Sequence, residues 1–457
     1  MLLQAGRRRL DSWAERVLLH PARFIPIGLA SIIVVGIGLL LLPASTADTA
    51  TDTGAPLRTA VFTATSAVCV TGLVVVDTVT HWSTTGHVVL LLLFQVGGLG
   101  IATLSSLVAI ALFRRTGLRS LLAAGRETRG DIGSLRSVLP SILLTTAVVE
   151  TVVSAILAGR FFVAYDMDLP QALWYGVFHG VSAFNNAGFA LYGDSLVGFA
   201  TDPWIVVPVM TAVVLGGLGF PVLVELARVR SPRLWSVHTR LVLITSAVLL
   251  VAGALALGAL EWGNPATLGA LDWPSRIMAA VFMSVTSRSS GFATIDYAEV
   301  GDAALLVTSG LMFVGAGSAG TSGGIKVGTL AVLVLAIVAE TRGDADVHAF
   351  GRRISTATVR QALVVLGVST ILTGVAMVFL LQTTGFALAD VLFEATSATG
   401  VVGLSTGITG DLPPAAVWFV TGAMFVGRVG PVAVAAAVAG SERRRLYRYP
   451  EAKPLIG

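Results

Sequence analysis

Apolar residues fill most of the chain in long uninterrupted stretches, and these stretches follow a repeating order of long, short, long. The long ones lie at about 24–43, 86–113, 138–164, 204–228, 240–261, 357–382 and 415–440, with one more starting near Ala303. A membrane-spanning helix needs about 20 predominantly apolar residues, so each is read as a full span. The short ones, at about 57–73, 171–188, 274–291 and 387–403, cannot cross. Each runs into a glycine and then into polar sequence: TATSAVCVTGLVVVD around Gly72, HGVSAFNNAGFALYGD around Gly188, SVTSRSSGFATID around Gly291 and EATSATGVVGLSTGITGD around Gly403. That pattern fits a half-helix that turns back, because non-helical backbone at membrane depth is tolerated only where protein or water covers it.

The pattern predicts an all-α polytopic membrane protein built from four pseudo-repeats of span, re-entrant pore loop and span around a central pore. The repeats fall at 24–113, 138–228, 240–340 and 357–440, between an N-terminal segment 1–23 and a C-terminal tail 441–457. The loop glycines recur about every 110 residues, longer than the common solenoid periods of roughly 20–50 residues. A second echo, GGLG, occurs in FQVGGLGIATL and again in VVLGGLGFPVLVEL. The first span also has features of a cleavable signal peptide, with RRRLDSW ahead of the apolar run and ASTAD after it. The run exceeds the usual apolar core of a signal, and the first loop needs a leading helix, so the span is read as retained.

This design suits a cation. A dehydrated monovalent ion needs several oxygen ligands, which extended backbone carbonyls supply without placing a fixed charge in a low-dielectric core. Glycine permits the backbone angles that aim those carbonyls inward. Each preceding half-helix points its partly negative C-terminus toward the pore centre, which favours cations and disfavours anions. The candidate filter is Val70-Thr71-Gly72, Asn186-Ala187-Gly188, Ser289-Ser290-Gly291 and Val401-Val402-Gly403.

Composition agrees: 55% of the 457 residues are hydrophobic and 12% charged, with mean hydropathy +0.85, beyond the range of soluble globular proteins. Net charge is +4, but the basic residues sit in short loops rather than on one soluble face, so nucleic acid is not an expected partner. Arginines cluster before the first span, between units and after the last span, from Arg7–Arg9 through Arg114, Arg115 and Arg228 to Arg443–Arg445. Acids including Asp77, Asp194, Asp202, Glu261, Asp296 and Asp411 fall on the other side. The positive-inside rule then puts both termini in the cytoplasm of a multi-pass protein of the cell membrane, with the loops entering from outside. The outer acids either concentrate cations at the mouth or form an ordinary solvated surface. The single cysteine, Cys69, excludes an intrachain disulfide and reads as a packing residue.

Several residues sit where a lipid-facing helix would not place them. The run Gly315–Gly324 carries five glycines, Gly315, Gly317, Gly320, Gly323 and Gly324, in ten positions at membrane depth. It breaks the second span of the third unit, or else forms a close helix-packing surface. Arg428 lies inside an apolar span, where an ionised side chain needs water or a partner. Lys326 follows the glycine run, either working with it or snorkelling to the interface. Arg288 precedes the third loop and Glu394 lies in the fourth half-helix, so an ion pair between neighbouring units is expected to support the filter, with separate local hydrogen bonds as the alternative. Glu150, inside a span, needs a partner that the sequence does not identify. The six histidines have no metal-ligand spacing, and Walker, Rossmann and HExxH motifs are missing, so no enzyme is expected.

Taken together, TATSAVCVTGL, SAFNNAGF, SRSSGF and MFVGRVGP make the chain resemble the Ktr/Trk/HKT superfamily of potassium transporters over essentially its whole length. Its short N-terminal segment and the ending RYPEAKPLIG are most similar to the membrane subunit of bacterial Ktr systems. The resemblance implies potassium uptake through the four loops. It makes Gly315–Gly324 an intramembrane gating loop beneath the filter, with Arg428 holding the gate from the cavity. It also implies a homodimer with one pore per subunit, assembled on a cytosolic ring of nucleotide-binding RCK subunits. Potassium is the substrate, the lipid bilayer the surroundings, and no organic cofactor is expected in this chain, since the nucleotide belongs to the partner. None of the loops reads TVGYG, which implies fewer ordered sites and looser selectivity than in tetrameric potassium channels. Members with serine at the first filter glycine favour sodium, whereas Gly72 is kept here. The alternatives are a sodium-permeable or nonselective relative, and a membrane scaffold that transports nothing.

Overall fold

The computed structural model describes residues 21–47, 55–100 and 135–440. The terminal segments 1–20 and 441–457, the 101–113 end of the second expected span, Asp48, Asp52 and the arginines between 114 and 129 lie outside the described residues. Regular structure is nearly all helical, apart from a short hairpin of His348–Ala349 (β1) and Arg352–Arg353 (β2).

The described helices repeat one order. A long helix, a short one and another long one occur as Pro21–Leu40 (α1), Leu57–Cys69 (α2) and Thr84–Gly100 (α3). Next come Leu135–Ala164 (α4), Leu169–Asn185 (α5) and a pair, Pro203–Leu218 (α6) and Phe220–Arg228 (α7). The third group has Val237–Glu261 (α8), Trp273–Thr286 (α9), Asp302–Phe313 (α10) and Val327–Arg342 (α11). The fourth has Thr356–Thr383 (α12), Leu388–Gly400 (α13) and Pro414–Gly440 (α14). Several starts are fixed by side-chain oxygens that satisfy free N–H groups of the first turn: Asp168 accepts from Gln171 N, Asp202 from Trp204 N, Ser236 from Thr239 N and Ser355 from Thr358 N.

Among the described residues, Pro140–Ala164, α8 and α12 are long and apolar enough to cross a membrane, and α6 with α7 makes a fourth if the bent pair is one span. Their outward faces suit lipid: Ile371 on α12 is 67% exposed and Leu255 on α8 is 70% exposed. The protein is therefore an integral membrane protein. The groups pack in sequence and then close: α6 meets α9, α10 meets α13, and α14 packs against both α1 and α2. The last group thus returns to the first, leaving the short helices inside.

One element differs from expectation. The stretch 204–228 is one span in the sequence reading, and the structure divides it into two helices bent by 99° at Gly219. Gly219 has φ +93°, which a residue with a Cβ adopts only with strain, and Pro221 sits in the first turn of the next helix, where a backbone donor is not needed. Hydropathy averages over such a break because both halves remain apolar.

Candidate ion pathway

Three of the four short helices end in the same way. Val70, Asn186 and Val401 take left-handed conformations at φ 58°, 59° and 56°. Glycine normally occupies this position of the Schellman motif, and a non-glycine residue there costs on the order of 1–3 kcal/mol. The motif's hydrogen bonds hold it: Val70 N donates to Ala67 O at 3.0 Å and Thr71 N to Ser66 O at 2.8 Å, with Ala187 N to Ser182 O and Val402 N to Ser397 O matching the latter.

A serine hydroxyl then pins the extended strand beyond. Ser66 Oγ donates to Leu73 O at 2.7 Å and accepts from Gly72 N at 3.1 Å. Ser182 Oγ donates to Phe189 O at 2.8 Å, and Ser397 Oγ accepts from Gly403 N at 3.1 Å. The sequence reading missed these serines, although each opens a Ser-Ala pair six residues before its glycine. The third loop has Val285 at that position. There Ser289 N and Ser290 N both donate to Thr286 O, and only Gly291 among residues 287–291 has positive φ.

The four strands meet at their glycines in cyclic order. A Cβ on Gly72 would stand 2.5 Å from Ala187 O, one on Gly188 2.6 Å from Ser290 O, and one on Gly291 2.8 Å from Val402 O. A Cβ on Gly403 would collide with Thr71 O, which closes the circle. Each glycine therefore lies against the carbonyl of the residue preceding the next glycine, and every one has φ between +72° and +98°. Positive φ and close approach both exclude a side chain.

On one side of this circle opens a vestibule of about 600 Å³ that reaches all four glycines. Asp77, Asp194 and Asp296, one from each of the first three groups, are among its lining residues. Two other acids expected at the mouth are engaged in the scaffold instead: Asp202 pairs with Arg160 at 2.7 Å. Glu261 accepts from Thr267, Asn264 and Gly301 N.

Residues Gly315–Gly324 do break the helix, separating α10 from α11. The segment is tied to the bend in the second group, where Gly317 N donates to Gly217 O at 2.7 Å and Thr321 N to Gly216 O at 3.3 Å. It also abuts the fourth loop, since a Cβ on Gly323 would stand 2.5 Å from Gly400 O. Arg428, 3% exposed, donates through Nη1 to Thr321 O. Lys326 turns back on the same segment, donating to the carbonyls of Ser322 and, at 3.1 Å, Gly323. Gly315, Gly317, Gly320, Gly323, Gly324, Lys326 and Arg428 thus form one contact set.

Arg288 and Glu394 do not pair. Arg288 donates to Ser246 O at 3.1 Å and to Ser246 Oγ at 3.3 Å, within its own group. Glu394 is fully buried and accepts from Ser405 Oγ at 2.8 Å and Thr409 Oγ1 at 2.5 Å, both near the vestibule. Each side chain finds its partners within its own group of helices, a carbonyl and a hydroxyl for Arg288 and two hydroxyls for Glu394. Glu150 has a partner set the sequence did not reveal: Gln95 Nε2 at 3.1 Å and Asn185 Nδ2 at 3.0 Å, directly behind the second loop.

The sequence model of the TrkH family, described as a cation transport protein, matches residues 22–444. The chain is 33% identical over 450 residues to the Ktr system potassium uptake protein B of Bacillus subtilis, covering 98% of this chain and 99% of that protein. It is 36% identical to the protein of the same name from Vibrio alginolyticus over 88% of this chain and 89% of the other. It is 32% identical to the potassium/sodium uptake protein NtpJ of Enterococcus hirae over 97% and 98%. In fold it is similar to the crystal structure of the potassium transporter TrkH from Vibrio parahaemolyticus, with a TM-score of 0.67, 17% identity, and coverage of 90% of this chain and 82% of that one. The resemblance read from the loop motifs is borne out, and the chain belongs to the TrkH family of cation transport proteins, a family of transporters rather than enzymes.

Proposed function

We propose that this chain is the membrane subunit of a potassium uptake system, passing potassium inward across the cytoplasmic membrane through the four glycine loops. The observation that carries this reading is the cyclic contact of Gly72, Gly188, Gly291 and Gly403 with the carbonyls of Ala187, Ser290, Val402 and Thr71. A cation shedding water needs a ring of oxygens at one level, and four strands in mutual contact provide it without a fixed charge. The residues Val70-Thr71-Gly72, Asn186-Ala187-Gly188, Ser289-Ser290-Gly291 and Val401-Val402-Gly403 form the filter, held from behind by Arg288 and Glu394. Gly315–Gly324 is the gate, anchored by Arg428 and Lys326.

The four repeats at 24–113, 138–228, 240–340 and 357–440 surround one pore, with both termini cytoplasmic, as the distribution of arginines supports. Two of the relatives are named as proteins of a Ktr system, which supports a partner subunit. We assign that role to a cytosolic nucleotide-binding ring of the RCK type beneath a homodimer. Flux of potassium and of sodium in proteoliposomes tests the reading: potassium flux well above sodium flux supports it, and no flux of either ion overturns it. The name of the Enterococcus relative includes sodium. A chain that carries both ions equally would be the sodium-permeable alternative.

A further inference from the structure

From the position of one side chain pair, we infer that the gating loop sets the geometry of the second filter strand, with Thr321 and Asn186 as the positioning residues; this rests on the filter and gate reading above. Thr321 is fully buried and serves three neighbours at once. Its carbonyl accepts from Arg428 of the fourth repeat. Its N–H donates to Gly216 O at the bend of the second. Its hydroxyl accepts from Asn186 Nδ2 at 2.6 Å and reaches Phe184 O at 3.4 Å.

Asn186 is the left-handed residue of its strand, two positions before Gly188, so its backbone and the next carbonyls turn together. Its side chain faces in two directions. Nδ2 meets the loop, while the residue also lines a small cavity with Ser289 of the third filter strand and Arg288 just before it. Val70 and Val401, the corresponding residues of the first and fourth loops, have no side-chain donor to offer. Ser289 and Ser290 of the third strand carry hydroxyls, but neither is hydrogen-bonded to the segment, so among the described residues the second strand is the one with a side-chain hydrogen bond to it. A loop displaced from under the filter carries the Thr321 hydroxyl away and leaves the buried Asn186 amide with only its longer bond to Phe184 O at 3.4 Å, which favours a different strand geometry. Ion preference then depends on the state of the gate, where the sequence suggested a filter that selects and a loop that only obstructs.

The test uses full-length protein in proteoliposomes and reads the potassium to sodium permeability ratio separately from total flux. Thr321→Val keeps the shape and both backbone contacts but removes the hydroxyl. The ratio is expected to fall by about fivefold, the factor given by one hydrogen bond of ordinary net strength, and Thr321→Ser restores it. Asn186→Gly keeps the left-handed backbone without the side chain; it lowers the ratio too, and Thr321→Val adds nothing further on that background. Independent effects that multiply, or a Thr321→Val protein with wild-type ratio and altered flux alone, overturn the inference. If Thr321→Val does not fold, the same comparison is made with Thr321→Ala and Asn186→Gly. Gly403→Ala serves as the control for the underlying reading: if it too leaves the ratio unchanged, the filter assignment itself fails, whatever Thr321 does.

Discussion

The carbonyl oxygen of Thr71 occupies the space that a Cβ on Gly403 would need, so the first and fourth loops touch as closely as consecutive ones do. Units at opposite ends of the sequence are neighbours in space. Nothing in hydropathy requires that, because four loops along a chain are equally compatible with an open row.

The closure makes the four glycines unequal. The collision is most severe at Gly403, and the space loosens from 2.5 Å at Gly72 through 2.6 Å at Gly188 to 2.8 Å at Gly291. Alanine substitutions should lower the potassium to sodium ratio in that order, with Gly403→Ala costing about tenfold or more, since positive φ and oxygen overlap act together. Gly72→Ser should raise relative sodium permeability. Bi-ionic flux in proteoliposomes is the measurement, and four equal effects would argue against a ring with one tight seam.

The serine pins give a second expectation. Ser66 makes two hydrogen bonds to the strand that follows it, and Ser66→Ala deletes both. At about 1 kcal/mol net for each bond, the loss is comparable with the strain held at Val70. Thermal stability of the detergent-purified protein should fall, and so should the ion ratio. A variant with unchanged stability and unchanged ratio would mean that the Schellman bonds alone hold the strand.

What the sequence made legible was local. Each glycine ended a short apolar run, and Arg428 and the glycine run Gly315–Gly324 were both out of place in lipid, so each announced itself within a few residues. Partners contributed from distant helices were hidden. Gln95 reaches Glu150 across 55 positions, and no periodicity links them. Arg288 and Glu394 suggested a pair because opposite charges in adjacent units are the simplest solution, yet Ser246, Ser405 and Thr409 satisfy them with hydroxyls and a carbonyl that carry no charge to notice. Gly219 was legible only as an echo. A glycine in an apolar window serves helix contact as readily as a bend, and its partner, the segment around Ser318, lies about 100 residues on.

Glu150 offers a test of its cluster. Removing the carboxylate by Glu150→Ala leaves Gln95 Nε2 without its acceptor, and Gln95→Ala deletes the same bond from the other side. Each change should destabilise the protein by about 1–3 kcal/mol if the group that loses its partner, the Gln95 amide in one and the Glu150 carboxylate in the other, stays dry. Because they share one contact, the double variant should be less destabilised than the two effects added together, by roughly 0.5–3 kcal/mol. Thermal melts of the four proteins check this, and strict additivity would show that the two side chains stabilise separate regions.

Arg428 holds the Gly315–Gly324 segment from α14, and Lys326 holds it from within. Arg428→Ala removes the bond to Thr321 O but leaves Lys326 donating to Ser322 and Gly323. The segment should then leave its resting place more often, since glycines and small side chains let it change shape at low cost. Potassium flux through the chain alone, without a cytosolic partner, should rise severalfold, a factor of ten corresponding to about 1.4 kcal/mol. Arg428→Lys keeps the charge but loses the planar fork that fits the carbonyl, so it should fall between wild type and alanine. Adding Lys326→Ala to Arg428→Ala should increase flux further, because the second anchor acts on neighbouring carbonyls of the same segment. Folded Arg428→Ala protein with wild-type flux would make Gly315–Gly324 packing material between α10 and α11, and the obstruction to ions would have to lie elsewhere.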